Sequence, residues 1–340
     1  MAATIRDVAR EAGVAVSTVS RALNGSANIA EATRARVLAA AAALRFTPSS
    51  AARSLITGRT HAVGVVLPAL YGEYFSELIR GIDGAARERG LHLLLSSWHG
   101  EAAQAAAALR ALHGRVDGVL LMSLHADARS AYAALLADVS PELPTVLLGS
   151  RPRVGPHASF TLDNFGGARA MTRHLLGAGR RRVAFVAGPA DNHEAAERLR
   201  GYRAALAEAN ARECVLEGDF GEASGREAGR RIAAMARRPD AVFAASDMMA
   251  IGVLGALADA GLRVPADVAL AGFDDSALAR HVRPALTTVR VHVAELGALA
   301  LARLADEIGG PRRKPVHRTV AAEIVVRASC GASLPAAAAA

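Results

Sequence analysis

Three aspartates in the second half of the chain each come directly after an apolar run. Asp163 follows SFTL, Asp247 follows FAAS and Asp274 follows LAGF, while Arg198 comes after the loop GPADNHEAAE. The apolar runs predict buried strands, and open α/β sheets bind ligands at the carboxyl ends of their strands. The sequence therefore predicts that several polar side chains fall at the carboxyl ends of strands, where a small molecule could bind.

A second chemical signal is the concentration of arginine near the N-terminus. The first 60 residues hold eight arginines and three acidic residues, which is +5 of the formal charge of +8. Arginine is the better bidentate partner for phosphate, so a basic end on a nearly balanced body predicts a polyanionic partner there. Genomic composition bias is the alternative reason for so much arginine.

The elements that would present this charge are three short helices, with IRDVAREAGVAVSTVSRALN forming a helix-turn-helix. Such a unit places its second helix in the DNA major groove, and an ordinary helical hairpin is the alternative. Val16, Ser17 and Arg21 on that helix could contact base edges. Apolar spacing puts the following residues inward: Ile5, Val8, Ala9 and Ala12, then Val19, Ala22 and Leu23, then Val37, Leu38, Ala41 and Leu44.

Two of these helices begin at alanine, where a Ser, Thr, Asp or Asn would satisfy unpaired backbone N–H groups. Ala15 precedes Val16, and Ala30 precedes Glu31. Neither side chain can accept a hydrogen bond. The sequence predicts a three-helix unit that is less stable alone than a capped one and depends more on DNA for its order.

The remainder of the chain alternates apolar runs with helical patterns, which predicts parallel sheets with crossover helices. Its length suits two such sheets better than one. The apolar runs are 61–68, 91–97, 116–123, 144–150, 181–188, 240–246 and 267–274. Between the two parts, FTPSSAARSLITGRT allows only a short helix, which is marginal without a partner. Trp98 is expected to pack a loop.

Several classes of protein are disfavoured. Two distant cysteines give no disulfide framework, and the histidines show no paired ligand spacing, so we expect neither a metal site nor another cofactor. No phosphate-binding loop, GxGxxG after the first strand or GxSxG elbow indicates an enzyme. The charged N-terminus predicts no signal peptide, and no apolar run reaches the ~20 residues needed to cross a bilayer. We expect a cytosolic, nucleoid-associated protein that is not an enzyme.

The order of these motifs resembles the LacI/GalR family of bacterial transcription repressors. TIRDVAREAGV, VSTVSRALNG and FTPSSAARSL are similar to its headpiece and hinge, and DNFGGARAMTRHLLGAGRRRVAFVAGP, SDMMAIGVLGAL and RPALTTVR to its body. The resemblance implies an α/β fold: a helix-turn-helix headpiece (1–46), a hinge helix or linker (47–60), and a periplasmic-binding-protein-like effector domain of doubly wound parallel sheets (61–329). It implies an N-subdomain of about 61–160 plus 291–319 and a C-subdomain of about 161–290 plus 320–329, with a loose tail (330–340).

The resemblance further implies a homodimer that binds a pseudo-palindromic operator in double-stranded DNA. The hinge helices would form only on DNA, with Leu55 wedged into the minor groove and Ala52 against the partner, a plain linker being the alternative. The implied DNA-contacting residues are Thr4, Val16, Ser17, Thr18, Ser20, Arg21, Asn24, Arg34, Ser50, Ala52, Arg53 and Leu55.

For the ligand, the resemblance implies a small-molecule effector between the subdomains. The implied contacts are Tyr74, Phe75, Asp163, Asn192, Arg198, Phe220, Asp247 and Asp274, with Glu194 in the same variable loop as Asn192. A carboxylate–guanidinium pair with aromatic faces suits a sugar or sugar derivative, and a purine-type corepressor is the alternative. A solute-binding protein without DNA function shares the body fold but lacks the headpiece.

Some of these residues could have a structural role in place of ligand binding. Asp247 could cap helix 248–258, Phe220 could belong to the ordinary core, and Arg198 and Asp274 could pair with each other without binding a ligand.

Overall fold

The computed structural model describes residues 3–23, 28–47, 58–99, 102–122, 136, 142–149, 157–308, 310 and 314–332. They fall into two compact units, Met1–Thr60 and His61–Ala340. The described part of the first unit consists of three helices, α1 (Ile5–Glu11), α2 (Val16–Leu23) and α3 (Glu31–Ala43). Gly13 lies between α1 and α2 with a φ of +59°, the left-handed conformation that ends a helix at glycine.

The three helices bury a small core of valine and alanine. Val8, Val19 and Val37, one from each helix, are fully buried at its centre. The inward faces predicted for α1 and α2 are confirmed, and Leu23 packs at the margin of the core. Leu38 was predicted inward but is 50% exposed, because Ala40 takes the place beside Ala41 on the buried face. The prediction that Leu38 faces the core is therefore wrong.

The N-terminus of α3 has no side-chain cap. Ala30 is the N-cap residue and makes no side-chain hydrogen bond, so its carbonyl alone serves the N–H groups of Thr33 and Arg34. By contrast, Thr4 caps α1 through a capping box with Asp7, which the sequence analysis did not identify. The N–H groups at the start of α3 therefore lack the side-chain acceptor that Thr4 supplies to α1.

Replacing Ala30 by serine is expected to stabilise the three-helix unit by about 0.5–2 kcal/mol, the usual effect of supplying a cap. Native-state hydrogen exchange on the full chain measures this as slower exchange of α3 amides, with Ala32→Ser inside the helix as the control. Equal exchange in the parent chain and Ala30→Ser would show that the N-terminal amides already have another acceptor.

The second unit contains two six-stranded sheets in its described part. The first sheet holds β1 (Ala62–Leu67), β2 (His92–Ser97), β3 (Gly118–Met122), β4 (Thr145–Leu148), β5 (Ala158–Leu162) and β11 (His317–Val320). The second holds β6 (Val183–Val186), β7 (Val215–Leu216), β8 (Ala241–Ala244), β9 (Ala269–Asp274), β10 (Thr287–Val291) and β12 (Ala322–Val325). The strand orders are β11-β5-β4-β3-β1-β2 and β12-β10-β9-β8-β6-β7.

All recorded pairings are parallel except β10 with β12, which is antiparallel. Longer helices connect the strands: α4 (Glu73–Arg87), α5 (Ala102–Leu112), α6 (Asn164–Gly177), α7 (His193–Glu208), α8 (Glu222–Ala234), α9 (Asp247–Asp259) and α10 (Val293–Ile308). The chain moves from the first sheet to the second through α6, returns through α10, and changes sheet again between β11 and β12. Two doubly wound sheets joined by crossovers agree with the predicted fold class.

The second strand was predicted to be a buried apolar strand, and this is wrong for β2. Leu94 and Leu95 are 38% and 42% exposed. The reason is position, since β2 forms one edge of the first sheet. Directly after it, Trp98 is buried and its indole N–H donates to the carbonyl of Met122 at 3.1 Å, so the expected packing role is confirmed. No helix among the described residues combines the length and apolarity needed to cross a bilayer.

Candidate functional site

The exposed face of α2 carries the residues predicted to read bases. Val16 is 41% exposed, and Ser17 and Arg21 are exposed as well. Ser17 and Arg21 are four residues apart and therefore share one face of the helix. Arg21 belongs to the last turn rather than to the start of α2, so its longer side chain extends the face that Val16 and Ser17 begin.

The other residues predicted to contact DNA fall into three groups. Thr4 uses its hydroxyl within the chain, accepting from the Asp7 N–H at 3.4 Å and donating to its carboxylate at 2.7 Å. Arg34 is 24% exposed, with Nε 3.7 Å from the Glu31 carboxylate. Thr18 and Ser20 are half-buried. The remaining residues lie outside the described part of the chain: Asn24, Ser50, Ala52, Arg53 and Leu55.

In the second unit, Arg198 is the centre of a polar cluster at the carboxyl ends of the second sheet's strands. It lies within α7, and its side chain is only 3% exposed. Its Nε donates to Asn164 Oδ1 at 2.8 Å and its Nη1 to the carbonyl of Ala245 at 2.5 Å. Its Cζ lies 3.8 Å from the ring centroid of Phe273, within cation–π range. The guanidinium is therefore fixed by contacts from several elements.

Asp274 is the acidic partner of Arg198, as the sequence predicted. Its Oδ1 lies 3.2 Å from Arg198 Nη1, and the side chain keeps 23% exposure. The backbone φ of Asp274 is +113°, a conformation that L residues rarely adopt and that is often found at functional sites. The structure thus brings together the predicted pair and leaves about a quarter of the Asp274 side chain accessible.

Asp247 is buried beside this pair, and it does not cap its helix as the structural alternative held. Ser246 is the N-cap, since its hydroxyl accepts from the Met249 N–H at 3.1 Å. The Asp247 carboxylate instead accepts from the Ser276 N–H at 2.7 Å and from the Thr288 hydroxyl at 2.6 Å. It therefore positions the segment that follows Asp274.

Two side chains at the start of α4 reach residues connected to the second sheet. The Tyr74 hydroxyl donates to Glu194 Oε1 at 3.3 Å, and Glu73 Oε1 accepts from the Ala277 N–H at 2.5 Å. Glu194 is buried in the first turn of α7, and its other oxygen lies 3.8 Å from Arg198. The cluster is therefore enclosed from both subdomains.

The remaining predicted contacts have more structural roles. Asn192, predicted to bind the effector, caps α7, with Oδ1 accepting from the Ala195 N–H at 3.0 Å, and its contact with the effector stays a prediction. Asp163 caps α6 in the same way through the Gly166 N–H at 2.8 Å. Phe220 lies with its centroid 5.4 Å from Arg198 Cζ and also packs against the core. Phe75 packs edge-on against Tyr74 with centroids 5.3 Å apart.

Burial raises the pKa of the carboxyl groups in this cluster. It raises the pKa of Asp247 to about 8, and the nearby charge of Asp274 adds to this. It raises the pKa of Asp274 to about 6 against the opposing effect of Arg198. The pKa of Glu194 is also raised by burial, and that of Tyr74 is raised well above its usual value by burial and by Glu194. A site with several raised pKa values in a cleft is a candidate for function.

The raised pKa values of these carboxyl groups make the stability of the protein depend on pH. Carboxyl groups with raised pKa values keep protons in the folded chain that the unfolded chain has lost, so stability falls as pH rises from about 4 to about 8. Asp247→Asn removes a carboxyl group whose pKa is raised to about 8, so the variant should lose less stability over that range than the parent chain. Urea unfolding followed by circular dichroism across the range measures the difference. Parallel pH dependences in the two proteins would contradict the burial of an ionisable Asp247.

Sequence reasoning missed several members of the cluster. Asn164 and Phe273 hold Arg198, although neither was named as a site residue, and Thr288 and Ser276 hold Asp247. Asn164 directly follows Asp163 at the end of a predicted strand, and Phe273 directly precedes Asp274. Their adjacency to strand-end aspartates is a signal that could have identified them.

Comparison with known families matches both parts of the chain. The family described as "Bacterial regulatory proteins, lacI family" matches residues 4–49, and "Periplasmic binding protein-like domain" matches residues 172–330. The first match includes the three helices, and the second includes Arg198, Asp247 and Asp274.

Individual proteins are similar over nearly the whole chain. The ribose operon repressor of Escherichia coli (strain K12) is 37% identical over 315 residues, which are 91% of this chain and 94% of that repressor. A solved complex of the transcriptional regulator CelR with cellobiose has a TM-score of 0.72 at 35% identity, covering 96% of this chain and 99% of that one. The lac repressor dimer bound to operator and the anti-inducer ONPF has a TM-score of 0.89 at 26% identity, covering 97% and 99%.

Proposed function

This chain belongs to the LacI family of bacterial regulatory proteins, and we propose from that premise that it is a repressor whose affinity for operator DNA is set by a carbohydrate bound at Arg198 and Asp274. The observation that carries the ligand part is the buried Arg198–Asp274 pair at the carboxyl ends of the second sheet's strands. The chain is a DNA-binding transcriptional regulator rather than an enzyme.

The carbohydrate class is supported by chemistry as well as by similarity. Asp274 and Glu194 offer acceptors for hydroxyl groups, and the rings of Phe220 and Tyr74 can cover the apolar face of a sugar. The similar CelR is solved with cellobiose, and the similar ribose operon repressor is named for a sugar. These facts favour a sugar over a purine-type corepressor for this chain.

We propose that the protein acts as a homodimer with two headpieces on a pseudo-palindromic operator. Exposed Leu94 and Leu95 on edge strand β2 support an interface on the body, because an apolar sheet edge is usually covered. The proposed limits are 1–46 for the headpiece, 47–60 for the hinge and 61–329 for the effector domain, with the subdomain limits given above. We place the protein in the cytoplasm, where operator DNA lies.

The test measures DNA binding and ligand binding on the same full-length protein. An operator is first selected from a random DNA library by retention on the protein. Thermal unfolding is then followed with sugars, sugar derivatives, nucleosides and purine bases, since a compound at 100 times its dissociation constant should stabilise its site by about 2.7 kcal/mol. Stabilisation by a sugar that also changes operator affinity supports the proposal. Selection of no DNA sequence, or a response only to a purine, would contradict it.

A further inference from the structure

The effector cleft carries an unbalanced set of charges. Four acidic side chains belong to the cluster, and we call them the carboxylate ring: Glu194 and Asp274, which approach the guanidinium of Arg198, Asp247, which is influenced by Asp274, and Glu73, which accepts from the Ala277 N–H. We propose that this ring selects an uncharged or amine-bearing polyhydroxyl ligand and rejects sugar acids and sugar phosphates, with Glu194 as the selecting residue. The inference rests on the effector function proposed above and states the charge class of its ligand.

The charges that act on the cluster show the imbalance. Within the described part of the chain, the pKa values of Tyr74, Glu194 and Asp274 respond to acidic neighbours and to a single cation, Arg198. The pKa of Asp247 is raised by burial and by the charge of Asp274, and it is lowered by hydrogen bonds from Thr288 and Ser276. Acidic groups therefore outnumber the single guanidinium among the described residues of this cluster, so an anionic ligand would meet more acidic than basic side chains there.

Arg198 has little capacity left for an incoming anion. Its Nε and Nη1 donate to Asn164 and to the carbonyl of Ala245, and Nη1 also lies 3.2 Å from Asp274. One face of the guanidinium is covered by the ring of Phe273. The outer nitrogen, Nη2, lies 3.8 Å from Glu194 Oε2. An anion approaching that nitrogen would therefore come close to a buried carboxylate, and such like-charge contacts are costly.

Two further guanidiniums near the site are already paired. Asp275 follows Asp274 directly, and its carboxylate lies 2.7 Å from Arg290 Nε and 2.5 Å from Arg327 Nη2. Moving either arginine into the cleft would leave Asp275, which is 2% exposed, without that partner. Removing one partner of a buried ion pair is strongly destabilising. These arginines are therefore held away from the ligand.

The carboxylate of Glu194 is placed to accept hydrogen bonds from a ligand. Among the described residues, its Oε1 accepts one long hydrogen bond of 3.3 Å from Tyr74, and its Oε2 has the 3.8 Å contact with Arg198. A carboxylate has about four lone-pair positions, so Glu194 can accept further donors. Hydroxyl or ammonium groups supply them, whereas carboxylate and phosphate groups at neutral pH do not.

The test compares matched pairs of compounds on the full-length protein by calorimetry. The uncharged members are D-ribose, D-glucose, cellobiose and adenosine, and D-glucosamine supplies an amine. The anionic members are D-ribose 5-phosphate, D-gluconate, D-glucose 6-phosphate, cellobionate and adenosine monophosphate. We expect binding by at least one uncharged or amine-bearing compound, with its anionic partner weaker by about tenfold or more, as like-charge repulsion predicts.

Glu194→Gln tests the selecting residue, and Glu197→Gln, on the same helix but paired with the exposed Arg200, is the control. In Glu194→Gln the ratio between the dissociation constants of the anionic compound and its uncharged partner should fall, whereas Glu197→Gln should keep the ratio of the parent protein. Operator affinity checks that each variant is folded, and the comparison on the parent protein stands even if a variant is not.

A preference for an anionic compound, binding by no compound of the panel, or unchanged discrimination in a folded Glu194→Gln would overturn the inference. An anionic compound that binds at least as tightly as its uncharged partner and alters operator affinity would overturn the inference alone. Absence of any operator binding would instead remove the proposed function.

Discussion

Arg198→Ala is expected to abolish the response of operator binding to the effector while DNA affinity itself is retained. The substitution removes the contacts to Asn164, Ala245 and Asp274 that form the centre of the cleft. The helix-turn-helix belongs to the other compact unit, so its predicted base contacts should be unaffected. Fluorescence anisotropy of labelled operator, titrated with the compound that binds the parent protein, measures both quantities.

Stability must be followed in the same experiment, because Arg198 is buried. Removing it leaves Asp274 and Glu194 without their cation, and breaking a buried ion pair costs about 3–5 kcal/mol. Arg198→Lys keeps a positive charge without the several N–H groups that reach Asn164 and the carbonyl of Ala245, and it should retain a weakened response. Arg200→Ala is the matched control, since Arg200 is on the same helix with a side chain 59% exposed. A folded Arg198→Ala protein that responds at the parent's ligand concentration would refute the site.

Arg21→Ala is expected to weaken operator binding by about 1–3 kcal/mol, the usual value of a base contact, and to relax sequence preference at one operator position. The physical reason is exposure on the face of α2 that also carries Ser17. Ligand binding by the body should be unchanged. Competition between operator and variant sequences, measured at several salt concentrations, separates base recognition from phosphate attraction.

Arg36 provides the control for Arg21. It is an exposed arginine of α3 in the same three-helix unit and lies outside the predicted set of DNA contacts. Arg36→Ala removes the same charge, so it should at most lower the salt dependence of binding without changing sequence preference. Equal loss of sequence preference in Arg21→Ala and Arg36→Ala would show that Arg21 contributes charge rather than base recognition.

The helices of the first unit could be predicted well because their signals are local. Apolar spacing and Gly13 determine where α1 and α2 begin and end, and a missing cap is visible at Ala30. Leu38 was misplaced because adjacent apolar residues make the phase of an alanine-rich helix ambiguous. Positions 38 and 40 are both apolar, and only the packing of the three helices decides which of them is buried.

The aspartates of the cleft could be predicted from the sequence, but most of the contacts that Arg198 makes there could not. Strand ends identify Asp247 and Asp274, since parallel strands end at one edge of a sheet. The partners of Arg198 come from positions as distant as Asn164 and Ala245, and such contacts have no sequence spacing to reveal them. The contact of Tyr74 with Glu194 joins elements 120 positions apart. The capping role of Asn192 could not be read from the sequence, because it becomes visible only with the start of α7.

The central claim is that one protein couples a DNA-reading headpiece to a carbohydrate cleft. The most direct measurement is the operator affinity of the full-length protein with and without a saturating concentration of a sugar that binds it. We expect a change of about 5–150-fold, the usual range of allosteric coupling, and loss of that change in Arg198→Ala. A sugar that saturates the Arg198–Asp274 site and leaves operator affinity unchanged would contradict the account.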